Sequence, residues 1–397
     1  MTSSFQGAAD YRKFAVVAAV AGAALSVVGF GLDKQQFFVS YLEGFLWVSA
    51  IPLGSFALLM VHTLTGGNWG WTIRPFLVSS AKTIPLLAIL FVPILFGMNQ
   101  LYPWMDHEVM HHDPVLAAKA AYLNEQFWLA RTAFYFVIWS LLSWVLIRRL
   151  VPSPDKLTDT KQLHKAQRVA AGGAVVFMLS GSFAVVDWVM TIEPHWFSSM
   201  YGALAVAGMA MSSFAFCTLS LILLDKKSPN MWMTQNNVHD LGKFIFMTVM
   251  LWGYLSLSQY LIIWGGNLPE ETYWYHERGM GGWQVVSCIM VIFQFIVPFC
   301  WLLSKHIKRN VRMLPYIIAL LFTVRWLEQL WLVKPGLMAG KFPIHWLDFA
   351  APLALAGIWV LAYCTVLAKA AAVPAPAAKG HEHGGHGHHH GPQDKGH

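Results

Sequence analysis

The stretch Leu320–Val333, "LLFTVRWLEQLWLV", is apolar enough to lie in a lipid bilayer, yet it carries Arg325 and Glu328 near its middle, with Gln329 beside them. On a helix these three stand at i, i+3 and i+4 and share one stripe. A charged side chain at a lipid-facing helix centre costs at least about 2.5–3.5 kcal/mol. The stripe therefore has to face protein or a wet cavity. Whatever surrounds this helix must provide such an interior.

The rest of the chain supplies the walls. Of 397 residues, 56% are hydrophobic and 12% charged, and the mean hydropathy is +0.50. A soluble domain carries about 25% charged residues. A helix needs about 20 residues to cross a hydrocarbon core of roughly 30 Å. Ten such runs are read, at about 14–31, 36–61, 72–97, 127–147, 169–191, 198–224, 243–265, 282–304, 313–333 and 346–368. β-Barrel strands would alternate in polarity over shorter segments. The expected fold class is an all-α membrane protein with ten transmembrane helices within residues 1–368. Residues 369–397 are expected to be a disordered, His-rich cytoplasmic tail.

Loop charge sets the expected orientation. Arg12, Lys13, Arg74, Arg148, Arg149, Lys156, Lys161, Lys165, Arg168, Lys226, Lys227, Lys243, Lys305, Lys308, Arg309, Arg312, Lys369, Lys379 and Lys395 all fall on one side if ten helices alternate. The other loops hold Asp106, Glu108, Asp113, Glu193, Glu270, Glu271 and Glu277. The positive-inside bias then puts both termini in the cytoplasm. The basic balance reflects this asymmetry, and no nucleic-acid motif competes with it. A cleaved signal peptide is the rival for residues 12–31, but the apolar run is long for one, and it is read as an anchored helix.

Cofactor motifs are missing from the chain. Cys217, Cys288, Cys300 and Cys364 are isolated, with no C-x-x-C pair for a cluster and no C-x-x-C-H for a c-type haem. No histidine lies at a helix centre, as a b haem held across the bilayer would need; His62 sits at the end of the second helix. Phosphate-binding glycine motifs are also lacking. The tail "HEHGGHGHHHGPQDKGH" suits weak metal binding at most. In the long loop 98–126, His107, His111 and His112 with Asp106 and Glu108 show no fixed ligand spacing, and a partner-facing role fits its length better.

Ionisable groups inside apolar runs are what remain: Glu43, Lys82, Asp187, Arg325, Glu328 and Asp348. Polar stripes accompany them, with Gln284, Ser287 and Gln294 on the eighth helix and Ser180 and Asp187 two turns apart on the fifth. Arg325 and Glu328 satisfy each other equally well as a structural pair. Glu43, Asp187 and Asp348 lie near the outer helix ends, where exposure at the interface would account for them. Trp69, Trp71, Trp104, Trp196, Trp274, Trp283 and Trp346 sit where interfacial belts belong. Pro85, Pro93, Pro298 and Pro315 predict kinks.

The run "HDLGKFIFMTVMLWGYLSLSQYLIIWGGNLPEETYWY", His239–Tyr275, closely resembles the F-type membrane subunit of bacterial alternative complex III, in the polysulfide-reductase membrane-subunit (NrfD-like) group. "VVDWVMTIEPHWFSSMYG", Val185–Gly202, is similar to the companion stretch after the fifth helix of that family. The resemblance implies two four-helix bundles, helices 2–5 and 6–9, flanked by helices 1 and 10, in the bacterial inner membrane. It also implies a complex that oxidises menaquinol or ubiquinol and passes electrons to a cytochrome c or a terminal oxidase. Its partners would be an NrfD-like C-type quinol subunit, an iron–sulfur protein, and multihaem and monohaem cytochromes c. These would carry the iron–sulfur clusters and haem c, leaving this chain without a redox cofactor. The expected role is proton conducting or structural, with Glu43, Lys82, Asp187, His239, Asp240, Arg325, Glu328 and Asp348 as path candidates. A secondary transporter and a purely structural anchor are the alternatives.

Overall fold

The computed structural model describes residues 7–150, 160–225, 234–338 and 344–370. Among these, nine helices are long and apolar enough to cross a membrane, and a bent pair makes a tenth when counted as one span. In chain order these helices are α1 (Ala8–Leu32), α2 (Lys34–Thr65), the bent pair α3 (Asn68–Ala81 continued by Ile84–Phe96), α4 (Glu125–Leu150), α5 (Thr160–Trp188), α6 (Tyr201–Asp225), α7 (Gln235–Gly266), α8 (Trp283–Leu303), α9 (Leu314–Leu337) and α10 (Leu347–Leu367). No strand occurs among the described residues. The tail from residue 371, with Lys379 and Lys395, lies outside them, as do Lys156, Lys226 and Lys227.

The hub is α2. Of its most apolar stretch 83% is buried, against 28% for α1, and it touches α1, α3, α5, α6, α9 and α10. Lipid tails are as apolar as leucine, so close backbone approach rather than hydrophobicity selects such contacts, and small residues permit it. At Gly54 a Cβ would overlap the Met209 carbonyl of α6, and the adjacent Ser55 hydroxyl meets that of Ser213 at 2.7 Å. The α1–α10 pair is built alike, with Gly22 against the Ala354 backbone and Gly357 against that of Ala19. Replacing Gly54 by alanine is expected to force α2 and α6 apart and cost about 1–3 kcal/mol. A thermal unfolding midpoint in detergent equal to wild type would show that the contact is not tight.

Proline acts where its missing N–H frees a carbonyl. The two halves of α3 are bent by 42° just before Pro85, and the Ala81 carbonyl that Pro85 leaves unbonded accepts the Ser143 hydroxyl of α4 at 3.1 Å. In α8, Pro298 follows a π-helical segment, Val291–Ile296, which carries Gln294. Pro315 departs from expectation. It stands in the first turn of α9, where the N–H would be unpaired in any case, so it starts the helix rather than kinking it.

One end of the bundle is covered, and this end is called the capped face. The segment expected as a bare loop after α3 holds short helices at Met98–Leu101, His107–His112 and Pro114–Ala118. It is docked on its own bundle through the Tyr102 hydroxyl, which donates to the Trp188 carbonyl at 3.1 Å, and through Lys119, which donates to the Pro194 carbonyl at 2.6 Å. The aromatic-belt expectation is corrected here: Trp69, Trp104, Trp196, Trp274 and Trp283 are all buried, while Trp346 is 40% exposed. Trp196 and Trp274 stack at 4.4 Å between centroids on the capped face, and Trp69, at the opposite end of the bundle, packs against Phe214 and Phe244, so these rings join protein segments instead of anchoring in lipid.

Candidate functional site

Arg325 and Glu328 lie near the middle of the 24-residue α9, and both are buried. Their spacing of one turn pairs the guanidinium with the Glu328 carboxylate. Two neutral donors complete the carboxylate: the Trp252 indole N–H of α7 at 2.9 Å and the Gln294 amide of α8 at 2.8 Å. The π-helical segment matters for the second. Its extra residue per turn re-aims side chains, and such segments occur often at functional sites. Arg325 Nε and Gln294 Oε1 are buried without a partner.

Arg325, Glu328 and Gln329 form one wall of a cavity of about 40 Å³, closed by Leu46, Ser49 and Ala50 of α2, Trp139 of α4 and Trp188 of α5. A water needs roughly 10–15 Å³ on this measure and two to four polar partners. The cavity has room for a few waters, and Arg325, Glu328 and Gln329 supply polar groups in its wall. It is far below the roughly 300–1,000 Å³ of organic-ligand pockets.

A second cluster lies nearer the capped face. Asp348, in the first turn of α10, is fully buried. It accepts from Gln36 Nε2 at 2.8 Å, Ser40 Oγ at 2.7 Å, Lys334 Nζ at 2.5 Å and the His345 backbone N–H at 2.8 Å. Glu43 stands on the same stripe of α2, one turn after Ser40. It is fully buried too, and neither carboxyl oxygen has a hydrogen-bond partner. Lys334 and Asp348 are within electrostatic reach of it.

In a third cluster, Arg131 of α4 grips Asp187 of α5 with both Nε and Nη2 at 2.9 Å. Tyr122 at 2.9 Å and Tyr135 at 2.7 Å donate their hydroxyls to the same carboxylate. This two-pronged geometry is the strong form of the arginine–carboxylate pair.

Of the sequence candidates, the helices enclose Glu43, Asp187, Arg325, Glu328 and Asp348. Exposure at the interface is thereby corrected for Glu43, Asp187 and Asp348, which other helices and the capping segments cover. Lys82 is corrected in the other direction, since its side chain is exposed at the break in α3. His239 and Asp240 are half-buried in the first turns of α7, away from the capped face, and Asp240 pairs with the exposed Lys243 at 2.9 Å. Of the eighth-helix stripe, Gln294 and Ser287 point inward, Ser287 accepting the Trp331 N–H at 2.8 Å, whereas Gln284 is exposed. Sequence reading missed Arg131, Lys334 and Arg278. Arg131 had a signal, lying one turn before Tyr135 inside an apolar run. Lys334 precedes Pro335–Gly336 and reads as a helix end. Among the described residues, no group of three or more His, Cys, Asp or Glu is placed to hold a metal ion.

On the capped face Arg278 is buried against the Trp274 ring, 3.7 Å from its centroid. It donates to Glu193 at 2.8 Å and to the Trp331 and Leu332 carbonyls of α9. Partial desolvation and the hydrogen-bonded neighbour Glu193 raise Glu277, an otherwise exposed carboxyl at the rim of the cap, from 4.5 to about 7, with Arg278 opposing. The folded chain thus holds this proton more tightly than the unfolded one, so the stabilisation is complete below about pH 4.5 and is lost as pH rises to about 7. Relative to Glu277→Gln, the wild-type unfolding midpoint should fall across that window and run parallel above it. A constant offset from pH 4.5 to 7 would exclude the coupling.

No family model and no curated protein matches the chain.

Proposed function

We propose that this chain is a membrane subunit of a respiratory quinol oxidoreductase of the alternative-complex-III type, and that it conducts protons past Glu328. One observation carries the reading. Both stretches that resemble the F-type subunit converge on the same buried carboxylate and cavity: Trp252 of the first donates to Glu328, and Val185, Trp188, Val189 and Tyr201 of the second line the cavity. A cavity of about 40 Å³ admits water and no organic substrate, which favours proton conduction over secondary transport.

On this reading α2–α5 and α6–α9 act as two four-helix bundles flanked by α1 and α10. The capped face lies outside the bacterial inner membrane and both termini are cytoplasmic. Partner subunits hold the iron–sulfur clusters and haem c and oxidise the quinol. Arg325 stays protonated while its neighbour titrates. Glu328 takes a proton from cavity water, is neutral while loaded, and returns to the Arg325 pair on release.

Glu328→Gln keeps shape and the Trp252 and Gln294 contacts but cannot titrate. The assembled mutant complex in vesicles is expected to transfer electrons while its proton-to-electron ratio falls. A ratio equal to wild type would mean that Glu328 is only a structural partner of Arg325.

A further inference from the structure

The cluster below the capped face contains two carboxyl groups and one ammonium, and they are not equivalent. Asp348 keeps three donors besides Lys334, namely Gln36, Ser40 and the His345 N–H, and it sits in the first turn of α10, where the helix dipole favours an anion. Glu43 has no donor on either oxygen. A buried carboxylate without hydrogen bonds is far costlier than a satisfied one, and a second anion beside Asp348 adds repulsion. With one lysine within electrostatic reach of two acids, these three groups are electrically neutral only when one acid carries a proton. The site without donors is where that proton belongs.

We propose that Glu43 is a proton-binding site, protonated at rest, and that the Lys334 ammonium transfers from Asp348 to Glu43 when the proton leaves. The steps balance. At rest the groups are Asp348 carboxylate, Lys334 ammonium and Glu43 carboxylic acid, with zero net charge. Loss of the Glu43 proton leaves a net charge of −1. The flexible four-carbon stem of lysine lets its ammonium turn to the new anion. Asp348 tolerates the departure because its three other donors remain. A net negative charge at this depth is unfavourable, so the site is driven to reload. Glu43 lies above the Glu328 cavity on α2. Leu46 and Ala50 follow Glu43 at i+3 and i+7 on the same stripe and line the cavity that Glu328 shares.

The inference rests on the proton-conducting reading for its role in transport, while the protonation state can be measured separately. The infrared spectrum of the assembled, detergent-solubilised complex at neutral pH is the test. Wild type should show a carboxylic-acid C=O band that shifts with isotope-labelled glutamate and disappears in Glu43→Gln. In Asp348→Asn, Lys334 loses the Asp348 carboxylate and should hold Glu43 ionised, so the same band should vanish. If Glu43→Gln leaves the acid region unchanged, Glu43 is ionised at rest and the inference is overturned. That arm decides even if Asp348→Asn does not assemble. If Asp348→Asn assembles and retains the band, the lysine transfer is overturned. Loss of the band in Glu43→Gln with an unaltered proton-to-electron ratio would instead uphold the protonated site and remove its part in conduction, leaving the Glu328 reading to its own test.

Discussion

Replacing Arg325 by leucine is expected to destabilise the chain by about 3–5 kcal/mol, because it strands Glu328 as a buried anion with only neutral donors. The Trp252 and Gln294 hydrogen bonds remain, but neither supplies charge. The protein should accumulate poorly in membranes and unfold at lower temperature in detergent. Combining Arg325→Leu with Glu328→Gln removes both charges, and most of the lost stability should return. Proton movement should not return, because the titrating group is gone. If the double variant is no more stable than Arg325→Leu alone, the loss arises from packing of the long arginine side chain and not from the unpaired charge.

Asp187→Leu should be comparably severe, at about 3–5 kcal/mol, since it leaves Arg131 without an anion. It also removes the acceptor of the Tyr122 and Tyr135 hydroxyls. Tyr122 belongs to the segment after α3, so the damage should spread to the capped face and expose the 98–124 region to protease. Arg131→Met combined with Asp187→Leu should recover part of the stability, leaving the two tyrosines unsatisfied. Protection of the segment equal to wild type in Asp187→Leu would show that Tyr102 and Lys119 dock it without help from the ion pair.

Reading Leu320–Val333 as an interior-facing helix succeeded because spacing along one helix is local information. Arg325 and Glu328 stand one turn apart wherever the helix goes, and the structure pairs and buries them. The helical spans were legible for a similar reason. A hydrocarbon core sets a length, and runs of apolar residues can be counted against it. Their ends were less clear: α9 continues past Val333 to Leu337, and that added turn brings Lys334 to Asp348.

What the chain alone determined was therefore its membrane class, its spans and the stripe on α9. Tertiary structure decided which ionisable groups are shielded and by whom. Lys82 appeared deep by sequence and is exposed at the bend of α3, whereas Asp348, Asp187 and Glu43 appeared to be near helix ends and are sealed. The physical reason is that burial near a helix end depends on neighbouring helices and capping segments, whose positions no single helix encodes. Asp348 gathers donors from α2, α9 and the approach to α10, and Glu43 receives none. The packing of α2 against α9 and α10 adds the Gln36, Ser40 and Lys334 donors to the local advantage Asp348 has in the first turn of α10.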